Sequence, residues 1–71
     1  MFTLNINVNG NRYDKIVAKE SLEESLELMV SIGLELSKHI KGFTEVYLLK
    51  NGKVLKGNVF ERGMNCARIV L

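Results

Sequence analysis

The sequence predicts an α+β domain of two layers: one long amphipathic helix packed on a mostly antiparallel sheet of about five strands. Three observations predict it. A helical pattern with both ends marked occupies the middle of the chain. Short segments of strand character lie on either side of it. Two Asn-Gly dipeptides join those segments into hairpins, which favours antiparallel pairing between neighbours. The element order is β-β-α-β-β-β.

The helix covers residues 21–42, SLEESLELMVSIGLELSKHIKG. Ser21 is a good N-cap, and Glu24 stands three residues later. That is the capping-box spacing, in which the hydroxyl accepts from the Glu24 amide and the Glu24 carboxylate returns to the Ser21 amide. Glu23, Glu24 and Glu27 sit in or near the first turn and Lys38, His39 and Lys41 in the last, each sign where the helix dipole favours it. Gly42 suits the left-handed residue that closes a helix.

Leu22, Leu26, Met29, Gly33, Leu36 and Ile40 form one stripe on this helix. Val30 and Leu34 widen it on one side, Leu28 and Ile32 on the other. With residues about 100° apart, the apolar arc covers about 240°, whereas a helix on one sheet needs little more than about 100°. Either strands and loops wrap the flanks, or a flank bearing Leu28 and Ile32 is a subunit interface, since large exposed apolar patches mark partners. Gly33 costs about 1 kcal/mol relative to alanine; either the backbone closely approaches a sheet or a second helix there, or the glycine is merely tolerated.

Before the helix, residues 2–8 alternate strictly, with Phe2, Leu4, Ile6 and Val8 on one face and Thr3, Asn5 and Asn7 on the other: a half-buried strand. Asn9-Gly10 turns the chain into a return strand at residues 12–18. A two-residue turn pairs Ile6 with Tyr13, Leu4 with Lys15 and Phe2 with Val17, leaving Lys15 to snorkel from the apolar face. A three-residue loop would instead pair Leu4 with Ile16; the first register is preferred. Asn5, Asn7, Asn9 and Gly10 echo the start of a calcium loop, but the ligands are neutral amides and the twelfth position is Ile16 rather than glutamate.

After the helix, a third strand begins at Phe43 or Thr44 and ends with Lys50, and Asn51-Gly52 makes the second hairpin. The pairs expected are Leu49 with Val54, Leu48 with Leu55, Tyr47 with Lys56 and Val46 with Gly57. Val46, Leu48, Leu55 and Val59 then meet the helix. Tyr47, Leu49, Val54 and Lys56 face away, an unusually apolar set for a solvent face. Gly57 marks a bulge or strand end, Arg62-Gly63 a further turn, and residues 65–71 a last strand.

At 71 residues this is one domain. Chains of this size bury only about 60% of their unfolded surface. One cysteine allows no internal disulfide, and one histidine with one cysteine does not complete a four-ligand zinc site. Self-association is the remaining common route to extra buried area, and a homodimer is expected. The 46% apolar content argues against disorder. No apolar run approaches the ~20 residues of a membrane span, the first residues lack a signal peptide's basic start and apolar core, and the acidic polar face of the helix is wrong for a membrane surface. With a free Cys66, this points to the cytoplasm.

Net charge is +2, but it is unevenly spread: residues 1–35 hold three basic and six acidic side chains (−3), residues 36–71 seven and two (+5). His39 and Cys66 are the residues best suited to nucleophilic or near-neutral proton chemistry. His39 is accounted for by the helix C-terminus, Cys66 as a small core residue of an apolar strand. Glu23, Glu24, Glu27 and Glu35 read as a solvated helix face. The glycines are scattered and form no phosphate loop. No catalytic, cofactor-binding or metal-binding residue is assigned, no small-molecule substrate is implied, and an enzyme is not expected. The preferred expectation is a small protein-binding module, a regulator, inhibitor or accessory subunit, using Leu28, Ile32, Tyr47, Leu49 and Val54. The alternative is a nucleic-acid binder using Tyr47, Lys50, Lys53, Lys56, Arg62 and Arg68 around the second hairpin.

Overall fold

The computed structural model describes residues 1–17 and 20–71. Its elements follow in the predicted order: β1 (Phe2–Val8), β2 (Asn11–Val17), α1 (Leu22–His39), β3 (Thr44–Lys50), β4 (Lys53–Glu61) and β5 (Met64–Arg68). Ala18, the predicted end of the return strand, lies outside the described residues, as does Lys19. The five strands make one antiparallel sheet in the order β2-β1-β3-β4-β5, with α1 packed on one face. The two predicted hairpins are therefore joined through β1 and β3. Ile6 lies opposite Val46 and Leu4 opposite Leu48, so the apolar faces of both hairpins become one floor for the helix.

All three hairpins turn on two residues of positive φ: Asn9 and Gly10, Asn51 and Gly52, Arg62 and Gly63. A type I′ turn needs this at both central positions, and its twist matches that of the flanking strands. The first hairpin has the preferred register, with Ile6 opposite Tyr13 and Leu4 opposite Lys15.

The second hairpin departs from expectation. Leu49 faces Val54 as predicted, but Leu48 faces Lys56, Tyr47 faces Gly57 and Val46 faces Asn58. Leu55 is the extra residue of a β-bulge, and a slip of one residue moves every later side chain to the other face. The helix-facing residues of β4 are thus Lys56, Asn58 and Phe60; Leu55 is exposed and Val59 faces away. Packing accounts for the slip. It brings the largest apolar side chain of the strand, Phe60, into the core. It also sets Gly57 beside Tyr47, where an added Cβ would lie only 2.9 Å from a ring carbon.

The helix starts as predicted. The Glu24 amide donates to Ser21 Oγ at 3.1 Å, and the Ser21 hydroxyl donates to Glu24 Oε1 at 3.4 Å. It ends at His39, earlier than predicted, with Ile40 extended, and Gly42 takes its positive φ of 89° in the following loop. The helix buries Ser25, Met29, Gly33 and Ser37: Met29 and Gly33 are the middle of the expected stripe, whereas Leu26, Leu36 and Ile40 are half-buried and Leu22 is 48% exposed. Small side chains let the helix axis come close to the sheet, and a Cβ at Gly33 would collide with the Phe60 ring. The leucines, isoleucine and valine straddle that line and pack half-buried against the core of Phe2, Leu4, Ile6, Val17, Met29, Val46, Leu48 and Phe60. Both buried serines are satisfied: Ser25 Oγ donates to the Ser21 carbonyl, while Ser37 Oγ donates to the Leu34 carbonyl and accepts from the Gly63 amide.

The last strand is shorter than the predicted 65–71. β5 stops at Arg68, one further backbone bond runs from the Ile69 amide to the Gly57 carbonyl, and Val70 is 94% exposed. Cys66, expected in the core, is exposed. It sits at a second bulge, since Phe60 pairs with Asn65 and Val59 with Ala67. β5 is a short, bulged edge strand whose five residues are all exposed, so its apolar composition does not bury Cys66.

Candidate functional site

Among the described residues, no element covers the sheet face away from α1, and strand alternation sorts its residues into three cross-strand rows. The first runs Ile16, Thr3, Leu49, Val54; the second Asp14, Asn5, Tyr47, Gly57; the third Arg12, Asn7, Glu45, Val59, Ala67. Ile69 continues the second row beside Gly57. Tyr47, Leu49 and Val54, singled out from the sequence, come together here around a shallow cavity of about 220 Å³ that Asn5 and Arg12 complete.

The polar rim is internally bonded. Asn5 Nδ2 donates to Asp14 Oδ1 at 2.8 Å, and Arg12 Nε lies 3.4 Å from the same oxygen. The Tyr47 hydroxyl donates to Glu45 Oε2 at 3.0 Å. Partial burial, then this bond and the Glu45 charge, raise the Tyr47 pKa above its ordinary value. Tyr47 is therefore a neutral phenol with its ring over Gly57 and its hydroxyl tethered.

Leu28 and Ile32, the other predicted interface residues, lie on the helix, on the opposite side of the sheet, and are half-buried. Ile32 borders a cleft with Ile6, Lys15, Glu35 and Leu36, which continues past Leu36 toward Tyr13, Val8 and Ile40. The five predicted interface residues thus divide between two surfaces.

The six residues of the nucleic-acid alternative divide further. Lys56 lies opposite Leu48 and Arg68 opposite Asn58, both on the helix side of the sheet. Lys50 is also on that side, its Nζ 5.7 Å from the centroid of the Phe2 ring, and Lys53 pairs with it. Arg62 is in the β4–β5 turn, at the far end of β4. Tyr47 is on the other face.

His39 Nε2 lies 3.4 Å from Glu35 Oε1, and the Cys66 thiol donates to the Met64 carbonyl. Hydrogen bonds from His39 and Lys38 hold the Glu35 carboxyl below its ordinary value. Among the described residues, no group of three His, Cys, Asp or Glu side chains is placed to hold a metal ion, and no helix is long and apolar enough to cross a membrane.

Sequence reasoning set Asn5 on the face away from the core but included none of Asn5, Arg12, Asp14, Ile16, Val59 and Ile69 in a candidate site. The alternation of the first hairpin carried part of that signal, but only the β1–β3 pairing brings Asn5 beside Tyr47. Compared with protein-family models, curated proteins and solved structures, the chain matches none of them.

Proposed function

We propose that this protein is a small non-enzymatic protein-binding module that acts by occupying a surface of its partner, as a regulator, inhibitor or accessory subunit. The observation that carries the reading is the uncovered sheet face, where Tyr47, Leu49 and Val54 form an apolar patch beside the bonded polar side chains of Asn5, Arg12, Asp14 and Glu45. Protein interfaces combine apolar and hydrogen-bonding area in this way, and tyrosine is a common energetic anchor in them. The nucleic-acid reading draws less support, because a single-strand groove needs its stacking aromatic beside the cations that track the backbone, and here the sheet separates Tyr47 from Lys50, Lys53 and Lys56.

Affinity capture with the wild type, Leu49→Lys, and Lys50→Glu with Lys53→Glu tests this, alongside titration with single-stranded oligonucleotides. The same captured protein on the wild type and the lysine variant, and its loss on Leu49→Lys, is the expected result. Salt-sensitive oligonucleotide binding that the lysine variant abolishes would overturn the reading.

A further inference from the structure

We infer that a second copy of this chain packs antiparallel on the flank of α1 that carries Val30 and Leu34. This surface is distinct from the open sheet face, so the inference stands or falls separately from the reading above.

The flank is built as a self-complementary strip. At 3.6 residues per turn, Glu23, Glu27, Val30, Leu34 and Lys38 fall within about 80° of the helix circumference. Leu26, Glu27, Val30, Ser31 and Leu34 line a shallow apolar groove there. Its N-terminal end is acidic. Its C-terminal end is basic on balance, with Lys38, Lys41 and Arg62 against the single carboxylate of Glu61 around one cavity where the helix stops. A two-fold axis midway between Val30 and Leu34 sets Val30 of one copy against Leu34 of the other. The same axis brings Glu27 to Lys38 and Glu23 within reach of Lys41, twice over. A parallel arrangement would instead juxtapose like charges. Charge pattern at the margins of an apolar seam sets the orientation of paired helices, and antiparallel helices also align their dipoles favourably.

The bond that Lys38 makes in the single chain, to Glu35 Oε2 at 3.4 Å, is an exposed ion pair. Such pairs contribute little and exchange readily. The opposite flank has no comparable charge division: Lys15 and Glu35 sit beside Ile32 in the same cleft. A chain of this length with no disulfide also gains from the added burial.

A charge swap tests the inference. One variant carries Glu23→Lys and Glu27→Lys, making the strip wholly basic; the other carries Lys38→Glu and Lys41→Glu, making it acidic. Sedimentation equilibrium should show a wild-type dimer. Self-association of each variant alone should be weaker by more than about tenfold, and an equimolar mixture should recover dimers of near wild-type affinity. That recovery also shows both variants folded. Where circular dichroism shows that a charge variant has lost its helix, Val30→Arg, one change at the centre, should give a monomer that keeps it. A monomeric wild type at hundreds of micromolar overturns the inference, and so do folded variants that stay dimeric or a mixture that fails to recover. So does a dimer abolished by Leu49→Lys but untouched by the helix changes, which would place self-association on the sheet.

Discussion

The two faces of the sheet come from the same strands and have opposite physical characters. On the covered face, Leu4, Val46, Leu48 and Phe60 are fully buried beneath a line of small helix residues. On the open face, Tyr47, Leu49 and Val59 are half-buried and Val54 more exposed. The covered face is specified by shape, with Gly33 over Phe60 and Ser37 bonded to the β4–β5 turn. The open face has apolar area without a matching layer. Stability should therefore concentrate on one side of the sheet and recognition on the other.

The largest break in that contrast comes from Phe60→Ala, expected to cost about 3–5 kcal/mol in urea denaturation; a loss under about 1 kcal/mol would mean that the helix–sheet contact is not where stability resides. Gly33→Ala comes next. Alanine gains about 1 kcal/mol of helix propensity, yet its methyl group would strike the Phe60 ring, so a net loss of about 1–3 kcal/mol is expected. Adding Phe60→Leu should return part of that loss, which a pure propensity effect would not. Ser21→Ala removes the N-cap acceptor and should cost about 1 kcal/mol, read as a lower melting temperature at unchanged fold.

On the open face the expectation reverses. Leu49→Thr should shift stability by less than about 1 kcal/mol while abolishing partner capture, and a large stability loss there would erase the contrast. The smallest effect belongs to Glu35. Its pKa is depressed by His39 and Lys38, so its contribution is present above the ordinary carboxylate range and lost as pH falls through its lowered value. Denaturation of the wild type and Glu35→Gln across the acid range should show the wild-type advantage shrinking as pH drops. A growing advantage would reverse the assigned sign.

Much of this was readable from local chemistry, and the failures have one cause. Asn9-Gly10 favoured the first register over the one that pairs Leu4 with Ile16, although it sets Lys15 on the apolar face, and the two-residue turn decides it. The second hairpin carried the same turn signal, yet Leu55 bulges out. Val54-Leu55 is two apolar residues in a row, so alternation cannot say which of them leaves the ladder; the demands of Phe60 and Gly57 decide it. Arg62-Gly63 was marked as a turn. Cys66 was misjudged because apolar composition was taken for burial, whereas an edge position leaves it open.

The candidate sites divide in the same way. Tyr47, Leu49 and Val54 were grouped correctly because they alternate on short stretches of chain around one turn. The predicted nucleic-acid set divided because the bulge sets Lys56 on the helix side with Lys50 and Lys53 while Tyr47 faces away, and Arg62 sits in the β4–β5 turn.

By itself the sequence determined the elements, their order, the helix N-terminus and the positions of the turns. Each rests on interactions within a few residues: an N-cap hydroxyl and its amide, two positive φ angles, a periodicity. Only the tertiary structure decided that β1 pairs with β3, that the helix rests on its small residues, and which sheet face stays uncovered. Those outcomes depend on contacts between residues far apart in the chain, where several arrangements satisfy every local preference and the fit of Phe60 beneath Gly33 selects among them.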